Sequence, residues 1–368
     1  MTGYKFYPQS VVWEITFACN MRCLHCGTSA GKARPDELTT AEALALIDEL
    51  AALECEVINL SGGEPLLRKD WRQLAERIKH HNMYLHIISN GYLVDDEIVA
   101  DFKRLQFDNV GISFDGTQKT HDYIRRTPGS HDRAYAAMKR LAEAKVPFCA
   151  VTQVSNLNLG EIDDIRRELL EVGCKSWRIQ MTTATGRMPK DLTLTLDNYP
   201  SFIDKLLAYG KDESQIQIDV GENIGYFGCK GTELVGGQPY LGCFAGTRVL
   251  GIESDGKIKG CLSMPEEFVE GNIRDSSLTA IWNDPDKFAY NRKFTRETAR
   301  GECYDCQFLP LCRGGCATTS VGASGHRADN PYCIYRIERR QGIEPTITPL
   351  MEKLLDQFKE PAGPTEKR

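Results

Sequence analysis

The 368-residue sequence predicts an α/β protein built on parallel strands, and three observations lead there. Between residues 10 and 183 a short apolar or β-branched run, a polar turn and a longer stretch of helical spacing recur six times. Strands separated by helices of that length need crossover connections, and right-handed crossovers make the strands parallel. The composition, 41% hydrophobic and 26% charged, suits a chain with a large buried core and room for two domains and a short tail.

The elements follow in order. VVWEIT is the first strand, and the loop after it reads FACNMRCLHCGTSAG, with Cys19, Cys23 and Cys26 inside eight residues. TTAEALALIDELAAL is the first helix; Thr39 stands at its N-cap with Glu42 three residues on, the pattern of a capping box. EVINLS leads into SGGEP (Ser61 to Pro65), LHIISN into SNG (Ser89 to Gly91), and NVGISFD into SFDG (Ser113 to Gly116). DRAYAAMKRLAEAK is a further helix, and FCAVTQVS and WRIQMT are the fifth and sixth strands. Such a chain forms either a partial TIM-like barrel or an open doubly wound sheet. Both place ligands at the carboxyl ends of the strands, where the three cysteines and the polar loops fall. One Gly-Gly pair is an ordinary tight turn, but three such loops on one rim beside three thiols carry more weight.

Of the fourteen cysteines, three and seven fall in two constellations separated by a cysteine-poor stretch, the distribution of metal or redox chemistry in a reducing compartment rather than of disulfides. A formal charge of −6 gives no reason to expect nucleic acid or an anionic membrane as partner. The N-terminus has neither a basic start nor an apolar run, and no stretch reaches the ~18 apolar residues of a membrane helix, so a cytoplasmic location is expected.

Three thiols are one short of a closed metal site. A four-iron cluster held by three thiolates leaves one iron open to an exogenous ligand, and an amine with a carboxylate can chelate it. CNMRCLHC resembles the CxxxCxxC signature of radical S-adenosylmethionine (radical SAM) enzymes, and GGEP resembles their methionine-binding motif. The resemblance covers residues 10 to 183 and implies a partial (β/α)6 TIM-like barrel. It also implies reductive cleavage of S-adenosylmethionine to a 5′-deoxyadenosyl radical that abstracts hydrogen from a substrate. Carried over by position, Cys19, Cys23 and Cys26 ligate the [4Fe-4S] cluster, and Gly62, Gly63, Glu64 and Pro65 contact the methionine moiety. Ser113 and Arg125 match residues that meet the methionine carboxylate or the ribose, and Ser89, Asn90 and Asp115 complete the rim. His25 stands where the family often has an aromatic, and packing against the nucleoside is expected; Gln180 and Met181 fall near the adenine by fold analogy alone. The bland reading of Asp115, His121 and Asp122 is loop capping and ion pairing, and no general acid or base is assigned.

A break near residues 184 to 240 precedes the second constellation. Cys243 is followed by twelve residues to Gly256 and four to Cys261; Cys303, Cys306, Cys312 and Cys316 are spaced by two, five and three residues, and Cys333 closes the set. Read by itself, the CxxC pair with two further cysteines also suits a zinc ribbon. The whole order resembles the SPASM domain of peptide-modifying radical enzymes, which implies two auxiliary iron-sulfur clusters. Matched by position, Cys243, Cys261 and Cys316 serve the first and Cys303, Cys306, Cys312 and Cys333 the second, with Cys229 a candidate fourth ligand of the first. Cys55, Cys149 and Cys174 read as small buried hydrophobes. The expected domains are 1–190 (barrel), 191–240 (bridge), 241–340 (SPASM), and 341–368 (a helix in PLMEKLLDQF and a polar tail).

The resemblance is to peptide maturases, including mycofactocin-type maturases and spliceases, so a ribosomal precursor peptide is the expected substrate. Leu262 after Cys261, where sulfatase-maturating enzymes have an Asp, weakens a formylglycine reading. With nine residues before the first strand, a separate leader-recognition protein is expected, as is an electron donor of the flavodoxin or ferredoxin type. A small-molecule enzyme acting on a porphyrinoid is the alternative, and a non-catalytic electron carrier is the third reading.

Overall fold

The structure, a computed structural model, describes residues 6–212 and 215–358. Packing divides the chain into two units: a larger one running through Thr195 with Tyr209–Gly221 and Phe244–Lys293, and a smaller one of Leu196–Ala208, Glu222–Cys243 and the chain from Phe294 on. No helix among the described residues is long and apolar enough to cross a membrane.

The larger unit is built on one ten-stranded sheet. Its strands are β1 (Ser10–Thr16), β2 (Val57–Gly62), β3 (Tyr84–Ser89), β4 (Asn109–Ser113), β5 (Phe148–Val154), β6 (Ser176–Met181), β7 (Gln217–Val220), β8 (Val249–Ile252), β9 (Lys257–Lys259) and β10 (Val269–Asn272), in the spatial order β10-β9-β8-β1-β2-β3-β4-β5-β6-β7. The six expected strands appear within two residues of their predicted ends. From β1 to β7 every neighbouring pair is parallel, and β8 joins β1 in parallel. The β9 strand pairs antiparallel with β8 and β10. Strands β7 to β10 were not anticipated. They extend the sheet at both edges, and Phe244–Lys293, part of the expected 241–340 domain, packs in the same unit as the sheet.

Helices α1 (Thr40–Ala52), α2 (Trp71–His80), α3 (Asp96–Arg104), α4 (Gln118–Arg125), α5 (Ser130–Ala144) and α6 (Ile162–Glu171) fill the connections between β1 and β6. The capping box at Thr39 is formed in both directions: its side chain accepts from the Glu42 amide, and the Glu42 side chain accepts from the Thr39 amide. Side chains alternate along each strand. One face is fully buried and carries Trp13, Ile15, Leu60, Ile87, Ile112, Trp177 and Ile179. The opposite face is polar and half-buried, with Asn59, His86, Asn109, Gln153, Arg178 and Gln180. Register aligns Val12, Asn59, His86 and Asn109 across β1 to β4, and His86 Nδ1 lies 3.2 Å from Asn59 Oδ1. A buried parallel sheet ordinarily reads as continuous apolar strands, so a polar face marks the side open to ligand.

The smaller unit is made of short helices, among them Cys229–Leu234, Leu309–Cys312, Ala317–Ser324 and Ile334–Arg340, with the expected helix at Pro349–Asp356. Its core joins Tyr226, Phe227, Phe308, Leu311, Cys312, Tyr335 and Met351, and the Phe227 and Phe308 rings stack at 4.3 Å. The polar tail expected at 359–368 lies outside the described residues.

Candidate active site

The three cysteines sit in the loop that leaves the carboxyl end of β1, and this loop is held from several sides. The Cys19 amide donates to Gly31 O at 2.8 Å, and Gly31 N returns to Phe17 O at 2.9 Å. Glu37 accepts from Phe17 N at 2.6 Å and from the Thr16 hydroxyl. Arg187, in the segment after β6, donates through Nε to Cys23 O and through Nη1 to Ala30 O, both at 2.9 Å, while its amide reaches Cys26 O at 3.0 Å. Gly186 lies so close that a Cβ there would stand 2.3 Å from Cys26 O and from Gly27 O, at a φ of +58°. Burial raises the Cys19 thiol to about 11 and also raises Cys23.

The GGEP segment continues the pairing of β2 with this loop. Gly63 N donates to Thr16 O at 2.8 Å and Glu64 N to Ala18 O at 2.7 Å, so these two donors hold the cysteine loop itself. Close approach requires glycine: a Cβ on Gly62 or Gly63 would fall 2.4 Å from Thr16 O or 2.1 Å from Ala18 O. The Glu64 carboxylate is completely buried and accepts from Ser89 Oγ at 2.9 Å, Asn90 N at 2.9 Å and Leu66 N at 3.3 Å. Desolvation raises its pKa to about 7 against those three lowering bonds. Glu64 thereby locks the ends of β2 and β3 together, and Asn90 Nδ2 carries the tie on to Asn20 Oδ1 at 2.8 Å.

Asp115 gathers the next layer. It is fully buried and takes Gln153 N at 2.9 Å, His25 Nε2 at 2.8 Å and the Arg125 guanidinium. Burial alone would raise its pKa, but Arg125 and then His25 hold it well below the usual carboxylate range. Arg125 is buried too; desolvation opposes its charge, and Asp115 and Cys23 more than restore it. Its Nη1 lies 3.8 Å from Cys23 Sγ, which brings a guanidinium beside one of the three loop thiols. The Asp115 amide donates to His121 Nδ1 at 3.0 Å.

Other expected residues are placed less centrally. Ser113 closes β4 and is half-buried. Gln180 accepts from Gln153 Nε2 at 2.6 Å on the polar face. Met181 is 2% exposed on the opposite, apolar face, because neighbouring strand residues alternate, so its side chain is not beside Gln180. Cys55, Cys149 and Cys174 are buried: Cys55 and Cys174 donate to backbone carbonyls, and Cys149 accepts from Asn109 at 3.2 Å. Sequence reasoning missed Arg187 and the buried network of Glu14, Arg34 and Ser254, in which Arg34 Nη1 donates to Ser254 Oγ at 2.6 Å and also pairs with Glu14.

In the smaller unit Cys306, Cys312, Cys316 and Cys333 lie in or against one core, and Cys303 and Cys306 against a second one of Ala299, Leu309 and Ala328. The thiols that act on Cys312 are Cys333, Cys306 and Cys303, and those that act on Cys333 are Cys306 and Cys303. Cys316 responds first among thiols to Cys243. Burial raises the pKa of each of these buried thiols. Among the described residues no three His, Cys, Asp or Glu side chains close around one point as a single metal ion requires, so the grouping is one of neighbourhood. Cys261 belongs to the larger unit, just after β9. Cys229 donates its thiol hydrogen to Glu344 O at 3.0 Å, and its amide is bound by Glu338 at 2.7 Å.

Comparison with known proteins settles the family. The radical SAM superfamily matches residues 13–173, and an iron-sulfur cluster-binding domain, SPASM, matches residues 243–307. The AdoMet-dependent heme synthase of Methanosarcina barkeri is 31% identical over 344 residues, which is 89% of this chain and 97% of that protein. This chain belongs to the radical SAM superfamily. Another relative in sequence is the mycofactocin maturase MftC of Mycobacterium tuberculosis (strain ATCC 25618 / H37Rv), 29% identical over 317 residues, covering 84% of this chain and 78% of the maturase. Among solved structures, Streptococcus suis SuiB bound to its precursor peptide SuiA superposes with a TM-score of 0.72 at 16% identity, over 90% of this chain and 75% of that one. Native anSMEcpe with bound AdoMet gives 0.66 at 17% identity, over 94% and 99%. At such identities the two structures speak for the fold.

As a radical SAM enzyme with a SPASM domain, the chain takes S-adenosylmethionine, a [4Fe-4S] cluster and auxiliary iron-sulfur clusters as cofactors. The residues present fit them. Cys19, Cys23 and Cys26 would hold the cluster with soft thiolate donors from one loop, and a set of three would leave one iron for the amine and carboxylate of S-adenosylmethionine. When bound, the pair supplies a 5′-deoxyadenosyl radical. The chain's own part is to fix the loop through Arg187, Glu37 and Gly63, and to hold a buried positive charge at Cys23 through Arg125 and Asp115.

Proposed function

We propose that this radical SAM enzyme abstracts hydrogen from a ribosomally made precursor peptide and so modifies it after translation, by crosslinking, oxidative decarboxylation or backbone splicing. The observation that carries this reading is the match to mycofactocin maturases, 28 to 29% identical over 84% of the chain. The polar face of the sheet supports it, since the paired amides of Gln153 and Gln180 keep one oxygen and one nitrogen suited to a peptide backbone. Cys19, Cys23 and Cys26 ligate the radical cluster; Gly62, Gly63, Glu64, Pro65, Ser89, Asn90, Ser113, Asp115, Arg125, His25 and Gln180 form the walls that receive S-adenosylmethionine. Cys303, Cys306, Cys312 and Cys333 hold one auxiliary cluster, and Cys243, Cys261 and Cys316 serve another. A separate leader-recognition protein and a flavodoxin or ferredoxin donor complete the system, in the reducing cytoplasm that fourteen free thiols favour.

A second reading has its own support: an iron tetrapyrrole as substrate, favoured by the 31% identity to a heme synthase across 97% of that relative. One experiment separates them. The reconstituted enzyme with dithionite and S-adenosylmethionine is offered, in parallel, precursor peptides encoded beside it and a panel of iron porphyrins, and products are read by mass spectrometry. A mass change in a peptide, coupled to 5′-deoxyadenosine, supports the first reading; a change confined to the porphyrins replaces it with the second.

A further inference from the structure

Tyr240 lies three residues before Cys243 in the smaller unit, and the mechanism so far makes no use of it. Its hydroxyl oxygen is shielded from solvent and has no hydrogen-bond partner. A buried tyrosine hydroxyl ordinarily finds one, and an exception calls for a missing acceptor. The surroundings identify it. The ring packs, as do Cys306, Cys316 and Cys333, against the core that contains Tyr226 and Cys312. It stands 4.7 Å from the ring of Tyr226, whose own hydroxyl is engaged, accepting from Cys316 N at 3.1 Å and from Asn330 Nδ2 at 3.0 Å. Gly242, at a φ of +83°, brings the same segment against Cys312: a Cβ there would be 3.1 Å from Cys312 O. Cys243 follows three residues on, and Cys316 is the residue whose amide donates to the Tyr226 hydroxyl.

We propose that the Tyr240 hydroxyl donates a hydrogen bond to a cysteine sulfur of the Cys243 and Cys316 pair when these ligate an auxiliary cluster, and that this bond raises the reduction potential of that cluster. A donor at a ligating sulfur stabilises the more negative, reduced form, which is one of the levers that tune iron-sulfur potentials. Tyr240 is thus a positioning and tuning residue, acting through the sulfur. The inference rests on the assignment of Cys243 and Cys316 as auxiliary ligands and is independent of the substrate.

The test uses the full chain, reconstituted anaerobically, as wild type and Tyr240→Phe, which removes only the hydroxyl. Expected are unchanged iron content and unchanged 5′-deoxyadenosine formation, with the auxiliary signal in an EPR-monitored redox titration moved to more negative potential. Iron–sulfur stretching bands measured by resonance Raman in H2O and D2O should show an exchange shift in the wild type that the variant lacks. Equal potentials and equal isotope shifts overturn the proposal, and loss of auxiliary iron in Tyr240→Phe overturns it in favour of a structural or ligating role. Cys316→Ala is measured alongside: if it keeps all auxiliary iron, the ligand assignment itself has failed and the proposal falls with it.

Discussion

At Asp115 one buried carboxylate answers to the Arg125 guanidinium, the His25 ring and a backbone amide, and its removal reaches the cysteine loop through Arg125. Asp115→Asn leaves the Arg125 charge buried without its partner, so it should cost about 3 kcal/mol in anaerobic denaturant unfolding. It should also reduce 5′-deoxyadenosine formation more than tenfold; full activity would show that the network is dispensable. The neighbouring His121 gives a pH prediction. Burial lowers its pKa from 6.5 to about 3, so the unfolded chain takes up its proton first as pH falls. Its contribution to stability is therefore complete above about pH 6.5 and is lost progressively toward pH 3, at roughly 1 kcal/mol per pH unit. Urea titrations of the iron-free chain between pH 7.5 and 5 should show a flatter pH dependence in His121→Asn than in the wild type. At this scale the cysteines were legible because their information lies in local spacing. Arg187 was not, because its partners, Cys23 and Ala30, are 164 and 157 residues away.

Among the elements, the strand-end loops carry the function, and their glycines separate two kinds of constraint. A Cβ at Gly63 would meet Ala18 O at 2.1 Å, whereas Gly129, also in a loop, has nothing within 4 Å and needs glycine only for its φ of +76°. Gly63→Ala should cost more than about 2 kcal/mol and release iron from the radical cluster. Gly129→Ala should cost about 1 kcal/mol and leave iron content alone. Calorimetry with iron analysis on both variants checks the contrast, and equal effects would mean that the GGEP contact is not what positions the cysteine loop. The six central strands and the Thr39 cap could be read from period and capping residues. Strands β7 to β10 could not: each spans three or four residues, too few for periodicity to declare itself, and β8 is recruited by pairing with β1 far back in the chain.

For the whole molecule the prediction is an inventory. A chain with one radical and two auxiliary [4Fe-4S] clusters binds about twelve irons. Cys312→Ala should lower this to about eight while 5′-deoxyadenosine still forms, and Cys23→Ala should lower it equally while abolishing 5′-deoxyadenosine. Iron analysis with mass spectrometry of the nucleoside decides; parallel loss in both variants would mean that the two constellations do not load independently.

By itself the sequence determined the superfamily, the parallel α/β order, the two cysteine constellations and the rim loops, because metal ligation and strand-helix alternation are both written in short-range spacing. The tertiary structure alone decided which buried charges stand behind the cysteines, that Glu64 locks β2 to β3, and that Tyr240 keeps an unanswered hydroxyl in the smaller unit. Those outcomes depend on groups brought together from distant parts of the chain, where desolvation makes each unmet hydrogen bond costly and spacing along the sequence carries no trace of the meeting.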